Sequence, residues 1–329
     1  MLNCKVCKNE LFLLLHYENM PKAAQGFPYA NELDDDHGID LDIYQCSGCG
    51  LVQLITEPVP YYWKAIRSES AEMKSFRQRQ LDRFIKRFKL DREKIIEITE
   101  EPKDEILKNI SFEAFLMFNF LEHLPDPNRA LCCIHYNLIG SGMGIVEVPN
   151  FNLILRKKIV TEFIRDHLFY FSAQTLRTTL ELNGFNVLSI KEIWDKYILS
   201  AIVKRRDPLY APDFYDATSA LKSKIRRHIR GKTVAVWGAG HQALTALSLF
   251  DLKDKVSYVV DSSLFKQGKY TFVTHLPIVA PLRLKTDPVD IILVMVAGYT
   301  QEVLDQINAM GLNSSIIVLN GSNLEVLKL

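Results

Sequence analysis

The sequence predicts an α/β protein of more than one domain, and three observations carry that expectation. From about residue 94 onward, apolar runs of strand length alternate with helical patterns. Phe112–Pro127, FEAFLMFNFLEHLPDP, reads as an interior parallel strand (Ala114–Phe118), a short polar turn and a helix-starting Asp126-Pro127-Asn128. Thr233–Trp237, TVAVW, runs into Gly238-Ala239-Gly240-His241-Gln242-Ala243, which is the strand, GxGxxA turn and helix of a Rossmann-type unit.

Composition sets the outer limits. A chain of 329 residues can bury the cores of two or three domains. A hydrophobic fraction of 48% with a formal charge of +1 describes a soluble globular protein and argues against a general nucleic-acid binder. The longest apolar run, near Ile291–Val296, falls well short of the roughly 18 residues of a membrane span. No charged n-region with an apolar h-region follows Met1, so the expectation is a cytoplasmic protein without nucleic-acid or membrane partners. Six cysteines, four of them in CxxC pairs, fit a reducing compartment and a metal.

The chain opens with two knuckles, Cys4-Lys5-Val6-Cys7 and Cys46-Ser47-Gly48-Cys49. Each brings two thiolates to one ion, and together they predict a four-thiolate, structural zinc site with no open coordination position. The long segment between them must return as a loop or hairpin. Pro60-Tyr61-Tyr62-Trp63-Lys64 opens a polar helix reaching about Phe88, whose Lys64 and Arg67 could meet a diphosphate. Lys94–Ile98, KIIEI, is a short strand. Thirteen residues then separate Ile98 from Phe112, room for one helix from Pro102 through Asn109 and for no further strand.

Ligands on open α/β sheets sit at the carboxyl ends of parallel strands, which puts Asn119, Glu122 and His123 at the mouth of a site. Arg129–Asn137 is an amphipathic helix holding Cys132 and Cys133 as core residues. Gly140–Gly144 is a turn, and Ile145–Val148 a strand ended by Pro149. Ser172 caps a helix that stops at Asn183-Gly184, and Phe185–Ile190 with Tyr197–Val203 form a closing antiparallel pair. Residues 205–230 read as a linker ending in a basic surface helix, KSKIRRHIR. In the last domain, helix Leu244–Phe250 leads to strand Val256–Val260 and to Asp261, at the spacing of a ribose-binding acid. Strand Ile291–Val296, helix Gln301–Met310, Gly311 and strand Ser315–Leu319 complete it.

The ordered set CSGCGLVQL, LEHLPDP, IVEVPNF, DHLFYFS and GAGHQA resembles the S-adenosylmethionine (SAM)-dependent nucleotide-sugar C-methyltransferases. The resemblance implies a zinc-binding module at 1–60, a class I methyltransferase-like domain at 61–204, a linker helix at 205–230 and a Rossmann-like domain at 231–329. It implies SAM as donor and a nucleotide-linked 4-keto sugar as substrate. A general base removes a proton beside the ketone, and the enolate takes the methyl group. His167 with Asp166 matches the family's acidic–His pair, and His123 is a second polar group facing the sugar; Ile164 stands where the family often has a tyrosine. Glu97, Asn119 and Glu122 fall on the cofactor side. Gly238, Gly240, His241 and Asp261 fall on a turn that closes on the sugar nucleotide rather than holding NAD.

One departure is conspicuous. The family's first strand leads into a glycine-rich turn, and two strand–helix units follow before LEHLPDP. Here the chain continues Thr99-Glu100-Glu101-Pro102 with no glycine and no room for those units. The expected fold is therefore a methyltransferase sheet lacking its cofactor edge, with impaired SAM binding. Two alternatives follow: a non-catalytic sugar-nucleotide-binding partner of a full-length enzyme, in a homo- or hetero-oligomer, and an NAD(P) oxidoreductase working through GxGxxA.

Overall fold

Three sheets organise the chain in the computed structural model, which describes residues 2–59, 70–102 and 111–327. Residues Met1–Pro208 and Leu209–Leu329 form separate compact units.

In the first unit, β1 (Leu11–Met20), β2 (Ile39–Cys46) and β3 (Val52–Leu54) make an antiparallel sheet. Leu41 and Ile43 of β2 point inward between the more exposed Asp40 and Asp42, the period-2 signature of a half-buried strand. The helix α1 (Ala71–Phe88) is capped by Ser70, whose Oγ accepts the Met73 amide at 3.2 Å. The helix start expected near Pro60 lies outside the described residues. Tyr61, Tyr62, Trp63, Lys64 and Arg67 lie outside the described residues, as does most of the crossover expected up to Asn109.

The central sheet starts with β4 (Ile95–Glu97), parallel to β5 (Phe112–Phe118). Asp126 caps α2 (Pro127–Asn137) by accepting the Arg129 amide at 3.0 Å, with proline at the first turn where its missing N–H does no harm. Next, β6 (Leu138–Pro149) runs parallel to β5. The turn expected at Gly140–Gly144 is instead part of β6. The register jumps from Phe112↔Leu138 to Ala114↔Met143, so the extra residues are absorbed as an irregularity within the ladder. Gly144 is needed there, since a Cβ would lie 2.2 Å from the Phe115 ring.

After α3 (Phe151–Lys157), β7 (Phe169–Tyr170) returns to the N-terminal sheet and pairs with β3. A capping box between Ser172 and Thr175 starts α4 (Ala173–Leu182), and Gly184, at φ +87°, follows its end. Finally β8 (Phe185–Ile193) and β9 (Ile198–Arg205) close the sheet in the order β4-β5-β6-β9-β8. Among the described residues, no strand pairs with the outer side of β4. Phe84 of α1 packs on one face with Leu116, Phe118 and Ile145. On the other, Phe115, Met117 and Val146 share a core with α2, α4 and the cysteine knuckles. Cys133 is in that core, whereas Cys132 is exposed, contrary to the expectation for both.

The second unit begins with α5 (Pro212–Ile229). It is not a solvated linker helix, because Leu221, Ile225 and Ile229 are buried against Val234, Ala243 and Leu247. Then come β10 (Val234–Trp237), α6 (His241–Leu249), β11 (Tyr258–Val260), β12 (Ile278–Val279), α7 (Arg283–Thr286), β13 (Ile291–Val294), α8 (Thr300–Met310), β14 (Ser315–Asn320) and β15 (Asn323–Leu327). The sheet order is β12-β11-β10-β13-β14-β15, parallel except for the final hairpin strand. Strand order reverses about β10, so the GxGxxA turn sits at a topological switch point.

Candidate functional sites

Tight turns build the cysteine knuckles. The Cys4 amide donates to Asn9 O at 2.8 Å and the Cys46 amide to Leu51 O at 3.0 Å, and each turn carries a residue at positive φ, Lys8 and Gly50. This brings the four Sγ atoms within 4.8 Å of one another, with Cys4–Cys49 at 3.8 Å and Cys7–Cys46 at 3.3 Å. Thiolates about 2.3 Å from a tetrahedral ion lie about 3.8 Å apart, so the set could hold a metal ion. Amides surround the sulfurs. Gln53, fully buried, donates to Cys4 Sγ at 3.2 Å and accepts the Lys5 amide at 3.0 Å, and Asn9 donates to Cys7 Sγ at 3.3 Å. Asn128 of α2 donates to Val6 O at 2.8 Å, and Asn183 donates to Asn128 in turn.

At the carboxyl end of β5 the chain turns through Asn119, at φ +45°, into the helical turn Leu121–His123. Glu122 is 1% exposed and its Oε2 has no hydrogen-bond partner; Asn119 Oδ1 is likewise buried without one. Burial pushes the Glu122 carboxyl up to about 8, against the pull of the Arg77 guanidinium. His123 Nδ1 lies 2.6 Å from Asp166 O. A carbonyl only accepts, so Nδ1 carries the proton and Nε2, 4.0 Å from Glu122 Oε1, has the lone pair. The His123 and His167 rings meet edge-on with centroids 4.9 Å apart. Burial, with His123 beside it, lowers the His167 pKa to about 3, so its imidazole is neutral at ordinary pH.

The structure therefore brings together Glu122, His123 and His167, which the sequence assigned to different roles. Asp166 plays a different part from the expected one: its carboxylate accepts the Ala24 amide at 2.8 Å, and its backbone carbonyl, not its side chain, orients a histidine. Ile164, in the position often held by tyrosine, has both its backbone groups bonded to Tyr170 Oη. Glu97 is exposed at the end of β4, in register with Leu116, and is not among the ligand atoms of this cluster.

The sequence reading passed over a buried polar set behind the site. Gln80 Nε2 donates to Glu147 Oε1 at 2.7 Å and to Ser200 Oγ at 2.9 Å, Arg77 Nη2 lies 3.7 Å from Glu147 Oε2, and the Arg77 guanidinium stacks over Phe118. The available signal was Glu147 itself, a carboxylate in the middle of the apolar strand IVEVP. Gln53 in LVQL carried the same kind of signal.

In the second unit a cavity of about 310 Å³ opens over the Gly238–Gly240 turn, lined also by His241, Asp261, Lys266 and Tyr299. Gly238 has φ +110° and a Cβ there would meet Val296 Cγ1 at 2.6 Å, whereas a Cβ on Gly240 would meet nothing within 4 Å. Asp261 is spent on the fold rather than presented to a ribose: Oδ2 accepts the Ala239 amide and Lys266 Nζ at 2.8 and 2.9 Å, and Oδ1 accepts the Ser263 amide at 2.9 Å. Partial burial raises its pKa, but Lys266 and these amides outweigh it and hold the carboxylate below its ordinary value. Among the described residues, no helix is long and apolar enough to cross a membrane.

Residues 212–319 match the family described as C-methyltransferase C-terminal domain. Over 213 residues the chain is 24% identical to C-methyltransferase NovU of Streptomyces niveus, covering 56% of this chain and 51% of that one. It thus spans about half the length of that curated relative. Partial likenesses to solved structures include the N-methyltransferase NodS of Bradyrhizobium japonicum, 14% identical over 31% of this chain and 52% of that one, TM-score 0.24. UDP-D-quinovosamine 4-dehydrogenase of Vibrio fischeri is 14% identical over 30% of this chain and 94% of that one, also at TM-score 0.24. The family match is thus confined to residues 212–319, within the second unit, and the likeness to NovU is partial.

Proposed function

We propose that this protein is a nucleotide-sugar C-methyltransferase homologue that keeps the substrate side of the site and has lost most of its hold on SAM. The observation that carries this reading is the sheet edge. β4 has three residues and, among the described residues, no outer neighbour, and residues 98–111 contain no glycine that would let the backbone close on a sulfonium donor. SAM, where it binds, supplies the methyl group.

The chain's own residues suit the other half of the chemistry. His167, a neutral imidazole whose ring makes no hydrogen bond among the described residues, takes the proton beside the ketone. Glu122, protonated at neutral pH, donates to the oxygen on which enolate charge develops. His123 is held in one tautomer by Asp166 O and faces the same space. The cavity over Gly238, Gly240 and His241 takes part of the nucleotide. The four thiolates hold a structural zinc ion.

Calorimetric titration tests the proposal. A nucleotide-linked 4-keto sugar is expected to bind, and SAM to give no heat at concentrations that saturate a complete enzyme. Micromolar SAM affinity, or transfer of a labelled methyl group from SAM at an ordinary rate, would overturn it. The engaged carboxylate of Asp261 disfavours the oxidoreductase alternative; NADH binding abolished by Gly240→Trp would restore it.

A further inference from the structure

We infer that Glu122, His123 and His167 form a second metal site, for a divalent first-row ion such as Zn²⁺ or Co²⁺, distinct from the four-thiolate cluster. Each residue offers a ligand atom, and these lie within 4.8 Å of one another. The donor set is two imidazoles and a carboxylate, which suits such ions and leaves coordination positions open for water or a substrate oxygen.

Three further observations point to a cation. Glu122 is 99% buried, and Oε2 has no hydrogen-bond partner, a costly arrangement for a carboxylate unless a cation or a proton joins it. His123 donates its Nδ1 proton to a backbone carbonyl, the outer-shell bond that fixes a metal-binding histidine with its Nε2 lone pair toward the ion. His167 has no competing hydrogen bond among the described residues. The His123 Nε2–Glu122 Oε1 separation of 4.0 Å would close to about 3.4 Å around a tetrahedral ion, a change within reach of side-chain rotation. His123 keeps 23% of its side chain exposed, which provides the way in.

The three ligands are the side chains to which the proposed chemistry gives proton transfer, so the ion-bound and the proton-transferring forms are alternative states of one site. An ion there would take the lone pair His167 needs for proton abstraction, so metal and base function exclude one another.

The test is a Co²⁺ titration of the zinc-loaded full chain at neutral pH. The expected result is one further Co²⁺ per chain with visible ligand-field absorption and no thiolate-to-cobalt charge-transfer band. Glu122→Gln and His167→Gln should each weaken it at least 10-fold while the thiolate-bound zinc is retained. X-ray absorption on the unsubstituted protein provides a check independent of variant folding, with two imidazoles and oxygen expected around cobalt and no sulfur. No second equivalent, a sulfur shell, or unchanged affinity in folded variants overturns the inference.

Discussion

Glu122 and His167 pull stability in opposite directions with pH. The folded pKa of Glu122 is raised from 4.5 to about 8, so the folded state holds a proton that the unfolded chain releases, and stability falls as pH rises through that window. His167 is lowered from 6.5 to about 3; the unfolded chain takes a proton first, and stability falls as pH drops below about 6.5. Urea unfolding without added divalent ions should show Glu122→Gln flattening the alkaline limb, a gain of roughly 3–5 kcal/mol above about pH 8. His167→Asn should flatten the acid limb instead; parallel curves for both variants and the parent would refute the burial account. Gln53 belongs at this scale too. Gln53→Leu removes the amide on Cys4 Sγ and should weaken zinc about 10–100-fold in a chelator competition. At the residue scale the sequence was readable where chemistry sits in one short phrase. LEHLPDP gave Glu122 and His123, and the CxxC pairs gave all four thiolates. The Asp166 carbonyl was not readable, because a backbone atom's role leaves no trace in residue type.

Among elements, the GxGxxA turn separates two glycines that look alike in sequence. Gly238→Ala puts a Cβ on Val296 at φ +110° and should destabilise the second unit by about 2–4 kcal/mol. Gly240→Ala enters open space and should stay within about 0.5 kcal/mol in the same thermal melts. Equal losses would show that the turn, not the Val296 contact, is limiting. Elements with strong local signals were legible: β5 from its apolar run, α2 from Asp126-Pro127, α4 from Ser172 and Gly184. Those made by distant pairing were not. β7 is two residues long and exists only because Val52 and Gln53 lie opposite, and the exposed run Phe12–Leu15 shows no alternation to mark β1. Gly140–Gly144 looked like a turn because glycine in a strand and glycine in a loop are the same letter.

Across the whole molecule, the two units should respond separately to loss of metal. Cys4 and Cys46 share a core with Phe112, Phe115 and Leu176, while the core of residues 209–329 contains no cysteine. Chelation should therefore lower the melting temperature of the first unit and leave a second transition unmoved, as followed by calorimetry. A shift of both together would contradict the division.

One backbone residue gives the cysteine cluster an unexpected reach. The Leu168 carbonyl accepts the Leu54 amide at 2.9 Å, next to Gln53, and its own amide donates to Glu122 O at 2.8 Å. The backbone of a single residue is thus clasped between the strand that guards the sulfurs and the turn that aims the acid, with His167 immediately before it. Oxidants that strip the thiolates would be felt by the imidazoles without touching them, and nuclear magnetic resonance of the His123 and His167 rings should register the loss.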